Sequence, residues 1–169
     1  STPCAVLKLE IDAAGTPLAD KKLSSVRIES ERPLIGSMIY NLERNEVEVP
    51  CNGKTVNLTL ADTPSLSGKC VAWFTLCEAE FAGAPLKIQL LCTDKSVVDI
   101  VCEPQIALQA ARVSELPLNL AALIASGDAE VSEFRVDLSE NGTSNCYVVS
   151  AADKYKFRPT RGNSNDLPA

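Results

Sequence analysis

The chain has 169 residues, 46% of them apolar, enough for one large domain with a real core and too apolar for wholesale disorder. Its net charge is −6 and its basic residues are scattered, Lys21-Lys22 being the longest cluster, so phosphate backbones and anionic lipid are poor partners. It contains no histidine, which removes Ser-His-acid triads, Cys-His dyads and His-ligated metal sites together.

From Cys4 onward the chain is a succession of short runs in which every second residue is apolar, broken by Pro, Gly, Asn and Asp. Such a run places one side chain in the core and the next in water, as strands do. Ala5, Leu7, Leu9 and Ile11 alternate until Asp12–Pro17 breaks them. Leu23, Val26 and Ile28 follow, ending at Arg32-Pro33, and a weaker extended piece runs from Gly36 to Leu42. Val47 and Val49 lead to Pro50. Asn52-Gly53 then predicts a tight turn before KTVNLTL (54–60), where Val56, Leu58 and Leu60 share a face. Asp62–Gly68 reads as a loop.

Residues 71–77, VAWFTLC, are apolar on both faces and predict a central strand with Trp73 buried. Residues 86–102 predict a β-hairpin turning at Asp94-Lys95-Ser96. Residues 106–113 fit a strand or a turn or two of helix. Leu116, Leu118 and Leu120 alternate and favour a strand. Ala125–Asp128 reads as a linker. Beyond it come Phe134, Val136 and Leu138, an Asn141-Gly142 turn, Cys146–Val149, then Tyr155 and Phe157 and a polar tail. The pattern predicts an all-β sandwich over 1–126, with 127–169 either adding strands to it or opening a second, incomplete β-domain.

Chemistry-bearing motifs are sparse. No GxGxxG or P-loop supports a nucleotide, no loop has calcium-ligand spacing, and no cofactor or metal is expected. Glu46/Glu48 and Glu78/Glu80 are paired carboxylates that fit a solvated strand face better than a glycosidase site. Cys146 follows Ser144-Asn145 but has no base to activate it. The sequons at Asn57 and Asn141 carry meaning only in a glycosylating host. Trp73, Tyr40, Tyr147 and Tyr155 are too dispersed for a sugar-stacking platform.

Seven cysteines are present: Cys4, Cys51, Cys70, Cys77, Cys92, Cys102 and Cys146. None are spaced as CxxC, and most sit in apolar runs as reduced core residues; Cys92 and Cys102 are the nearest pair that a disulfide would join. No run of about 18 apolar residues could form a transmembrane helix. Starting at Ser1, the chain reads as a mature or trimmed fragment with any export signal upstream.

LSSVRIES (23–30), Leu34-Ile35-Gly36, KTVNLTL (54–60), the aliphatic hairpin 86–102 and LPLNLAAL (116–123) resemble, in that order, the fimbrillin-like surface proteins of Bacteroidales. DLSENGTSNCYVVSAADKYKFRPTRGNS (137–164) is similar to a segment recurrent in surface proteins of those bacteria, with Ser144 for the usual Ala and Asp153 for the usual Gly. The resemblance implies a transthyretin-like Greek-key sandwich at the cell surface, fimbrial or anchored to the outer membrane by an upstream lipid. It implies a non-enzymatic fimbrial subunit or adhesin acting through β-strand interactions, with other subunits or host and bacterial surface ligands as partners. It also implies strand exchange after proteolysis at an arginine. Ala5, Leu7, Leu9 and Ile11 have the spacing of an exchanged strand, and Arg27 and Arg32 are the candidate cleavage sites. A carbohydrate-capture module of a cell-surface protein is the alternative; it requires aromatics exposed on one face.

Overall fold

The computed structural model describes residues 4–36, 39–44, 46–48, 51–138 and 144–150. Two main sheets enclose one core, and the fold is an all-β sandwich. The narrow sheet has three strands. β1 (Ala5–Asp12) lies in the middle, parallel to β13 (Val113–Asn119) on one side and antiparallel to β8 (Cys70–Leu76) on the other. The broad sheet has six strands. Its order is β15 (Ser144–Ser150), β14 (Ala129–Leu138), β11 (Val97–Cys102), β10 (Leu86–Cys92), β2 (Leu23–Ser30) and β7 (Thr55–Thr59). Three short ladders decorate the rims: β3 (Ile35–Gly36) with β6 (Cys51–Gly53), β4 (Ile39–Asn41) with β5 (Glu46–Glu48), and β9 (Ala79–Glu80) with β12 (Ala107–Leu108).

Alternation builds the core as the sequence reading requires. Leu7, Leu9 and Ile11 of β1 face Val26 and Ile28 of β2, Ile88 and Leu90 of β10 and Val98 and Ile100 of β11 within one buried cluster. Each fully buried aliphatic side chain contributes about 1.5–3 kcal/mol over its exposed state, so this interior dominates folding. Loop 13–22 carries the chain from one sheet to the other. Lys21 fixes that loop: its Nζ reaches Asp94 Oδ2 at 2.6 Å and Ser96 Oγ at 3.1 Å in the β10–β11 turn, and Glu133 of β14 at 3.6 Å.

The structure settles details that the alternation alone leaves open and departs from the sequence reading at several points. Asn52-Gly53 is not a turn but the end of β6, because Gly53 serves close packing: a Cβ there would stand 2.4 Å from Ile35 Cγ1. Residues 107–108 take the strand alternative, whereas Leu120, read as the end of a strand, and Ala125-Ser126, read as linker, belong to a short helix, α1 (Leu120–Ser126). Asn119 caps it by accepting the Ala122 N–H at 3.1 Å, and Gly127 (φ 84°) ends it in the left-handed conformation glycine adopts without strain. The broad sheet also continues past residue 126: Ala129 and Val131 are buried in the core, and β14 pairs with β11 from Val97↔Ser132 to Ile100↔Ala129. The first half of β14 therefore adds a strand to this sandwich.

A further departure concerns cysteine. Cys92 and Cys102 are free thiols at opposite ends of the hairpin, Cys102 standing opposite Leu86 while Cys92 adjoins the turn. Among the described residues a disulfide joins Cys51 and Cys77 instead, with Cα atoms 6.3 Å apart; it ties β6 to the residue after β8. Cys70 and Cys92 are buried, as expected of core thiols. Burial, helped by Asp94 and Asp128 respectively, pushes the thiols of Cys92 and Cys102 up to about 11, which keeps both protonated and unreactive at neutral pH.

Candidate functional site

The outer face of the narrow sheet is the least ordinary surface of the molecule. Its outward residues follow from period two: Val6, Lys8 and Glu10 on β1, Val71, Trp73 and Thr75 on β8, and Val113, Glu115 and Pro117 on β13. Register sets Trp73, Lys8 and Glu115 in one row across the strands. Trp73, expected in the core, is 54% exposed. The core face of β8 is Cys70, Ala72, Phe74 and Leu76, all buried, which leaves the indole on the solvent side. Of the large apolar side chains exposed among the described residues, Val71, Trp73 and Val113 share this face.

Lys8 organises the charges there. Its Nζ lies 2.7 Å from Glu10 Oε1, 3.1 Å from Glu115 Oε1 and 5.8 Å from the centroid of the Trp73 ring. Hydrogen bonds to Glu10 and then Glu115 raise the Lys8 pKa, and the bond from Lys8 holds Glu10 below the usual carboxylate range. The ammonium is neutralised by two carboxylates while it rests on the ring, so the indole is held in place without being covered.

β8 is also an edge. It pairs with β1 alone among the described strands, and Cys70–Leu76 contains no charged residue and no proline. The opposite edge, β13, carries Glu115 and Pro117, the usual devices that discourage further pairing.

The other candidate residues fall elsewhere. Ala5, Leu7, Leu9 and Ile11 are fully buried on the inward face of β1, which has hydrogen-bonded neighbours on both sides and is not the easily released edge strand that exchange favours. Arg27 lies within β2, between β7 and β10, where two ladders hold its backbone. Arg32 stands exposed in the bend after β2, outside any ladder, and is the more accessible of the two candidate cleavage positions. Glu78 accepts the Ala110 N–H at 2.7 Å and Glu80 the Ala82 N–H at 3.0 Å, so these carboxylates brace loops. Glu46 is exposed on β5. Asn57 is exposed on the edge strand β7, whereas Asn141, Tyr155 and Phe157 lie outside the described residues. Cys146 stands opposite Val136 in the β14–β15 ladder. Among the described residues no group of His, Cys, Asp and Glu could hold a metal ion. No helix there is long and apolar enough to cross a membrane.

Sequence reasoning missed the exposure of Trp73 because both faces of β8 are apolar. The signal that could have found it was the comparison of the two: Cys, Ala, Phe and Leu make a continuous inward set, whereas Val, Trp and Thr include a hydroxyl. Compared with known proteins, the chain matches no family model, no curated protein and no solved structure.

Proposed function

We propose that the chain is a non-enzymatic β-sandwich protein of the cell surface, fimbrillin-like, serving as fimbrial subunit or adhesin through the β8 edge and the face beside it. The observation that carries this reading is the conjunction, on one uncharged strand, of an edge unpaired among the described strands and an exposed tryptophan. Aromatic side chains on an exposed surface, rimmed by charges, characterise interaction sites. The Cys51–Cys77 disulfide supports export, because such bonds persist in oxidising compartments. The partners fitting this reading are other fimbrial subunits or surface ligands of host and bacteria. The central position of β1 favours adhesion through β8 over exchange of residues 5–11.

The test is adhesion of the purified chain to immobilised matrix proteins, glycans and whole bacteria. Retention that drops on Trp73→Ala, with unfolding unchanged, is expected. Equal retention by the variant, or none by the parent chain, would sink the reading. The alternative, carbohydrate capture, draws on the same indole flanked by Glu10 and Glu115. It requires soluble saccharides to shift the emission of Trp73.

A further inference from the structure

We propose that β8 is a self-pairing edge, by which two copies of this chain join antiparallel along Cys70–Leu76 around a twofold axis at Trp73. The narrow sheets of the two copies then become one continuous sheet. This deepens the edge-strand reading and rests on it for the accessibility of β8.

The two edges of the narrow sheet contrast. A sheet edge exposes unpaired N–H and C=O groups, and proteins ordinarily blunt it with charge, proline or a bulge. β13 is blunted by Glu115 and Pro117; β8 has neither charge nor proline, and its ladder with β1 runs without a register shift from Ala5↔Leu76 to Ile11↔Cys70. An edge unpaired among the described strands and left unblunted in this way is suited to being covered.

The sequence of β8 itself selects the occupant. Centred on Trp73, antiparallel self-pairing sets Val71 opposite Thr75 of the second copy, two β-branched side chains of nearly equal shape. On the core side it sets Ala72 opposite Phe74 and Cys70 opposite Leu76, a small residue against a large one each time. The two indoles meet at the axis, and aromatic cross-strand pairs are among the favourable ones. An uncharged strand selects neither a basic nor an acidic peptide, whereas its own sequence is complementary to it in volume.

Charge does not oppose the pairing. Lys8 sits one strand in from the edge, so the two ammonium groups stand three strand spacings apart, about 14 Å, well beyond the Debye length of about 8 Å at physiological salt. Each is moreover neutralised by its own Glu10 and Glu115. One strand pair buries little area, which places the dimer among weak, reversible associations.

Sedimentation velocity of the chain from micromolar to near-millimolar concentration tests the proposal. Trp73, the only tryptophan, provides a second readout. Concentration-dependent dimerisation with a parallel blue shift of its emission is expected. Val71→Lys with Thr75→Lys sets like charges opposite one another twice and is expected to weaken association about tenfold. Val71→Lys with Thr75→Glu sets opposite charges in the same places and is expected to restore it. Both positions are exposed, so unfolding midpoints report that the variants fold. A chain monomeric at every concentration, or two double variants that associate alike, overturns self-pairing in this register. The two proposals fail separately: a monomer that still adheres through Trp73 overturns self-pairing alone, and a dimer that adheres to nothing overturns the adhesin reading alone.

Discussion

The two sheets share one core and differ in what they show to water. Across the broad sheet the register sets Asn57, Arg27, Gln89 and Asp99 in one polar row, with the Gln89 amide donating to Asp99 Oδ1 at 2.9 Å. Across the narrow sheet the corresponding rows include Trp73, Val71 and Val113. Core-facing positions on both sheets are interchangeable in chemistry, so burial alone does not distinguish the sheets. The outer faces do: among the described residues the broad sheet sets this polar row beside one exposed valine, Val101, whereas the narrow sheet gathers Val71, Trp73 and Val113 on one face.

The comparison is sharpest at β1, where the structure makes the inward positions indispensable. Leu9 is fully buried in a strand bonded on both sides, and Leu9→Ala is expected to cost about 3–5 kcal/mol in urea-induced unfolding. A loss under about 1 kcal/mol would mean that β1 leaves the sandwich easily, and the exchange of residues 5–11 would return as the better account.

The Cys51–Cys77 bond comes next. Its closed loop spans 26 residues of sequence and includes β7, the outermost strand on that side of the broad sheet. Reduction, or Cys51→Ser with Cys77→Ser, is expected to lower stability by about 3–4 kcal/mol, chiefly by freeing the unfolded chain. Unfolding curves that coincide with and without a reductant would remove the bond and, with it, the argument for an oxidising compartment.

Much of this architecture was legible in the sequence. The alternations at 5–11, 23–28, 54–60 and 86–102 name strands and their core faces, since one polarity period fixes both. What was not legible is of three physical kinds. Pairing at long range leaves no local trace: nothing in Ala5–Asp12 says that its parallel partner is Val113–Asn119. Glycine is ambiguous, because Gly53 yields space to Ile35 while imitating a turn. The polarity pattern also fails where both faces are apolar, and β8, the heart of the candidate site, is the place where it fails. The helix was within reach. Asn119 and Gly127 are ordinary cap signals, hidden because the Leu116–Leu118–Leu120 alternation runs into it.

A smaller effect tests how loop 13–22 is bound to the broad sheet. Partial burial raises the Asp94 carboxyl, but the hydrogen bonds from Lys21 and Ser96 outweigh it and hold the group below its ordinary 3.8. Partial burial lowers Lys21, yet Asp94 and then Glu133 hold it above 10.5. A depressed carboxylate stabilises above its unfolded value and loses that contribution as pH falls through the folded one. A raised ammonium stabilises below its unfolded value and loses it as pH rises through the folded one. The pair therefore supports folding across the range between, and Asp94→Asn is expected to cost about 0.5–1 kcal/mol at neutral pH and to flatten the acid limb below pH 3.8. An unchanged acid limb would show that the loop is held by packing alone.

The smallest effect is expected where the sequence pattern would have put one of the largest. A tryptophan in the middle of a strand apolar on both faces reads as core, and its truncation would then cost about 3–5 kcal/mol. The structure leaves Trp73 54% exposed, touching Lys8 and shielding little of the interior. Trp73→Ala is therefore expected to change stability by under about 1 kcal/mol, the ordinary range of surface substitutions together with one exposed cation–π contact. In dilute monomer its emission should be red-shifted and readily quenched by iodide, and the quenching should fall as association covers the β8 edge. A large stability loss with an iodide-resistant, blue-shifted emission at high dilution would return the indole to the core. The narrow sheet would then differ from the broad one in width only, and the surface that carries both proposals would be gone. A small loss with free quenching leaves the exposed indole without a folding role, which is the condition under which a role in binding explains its presence.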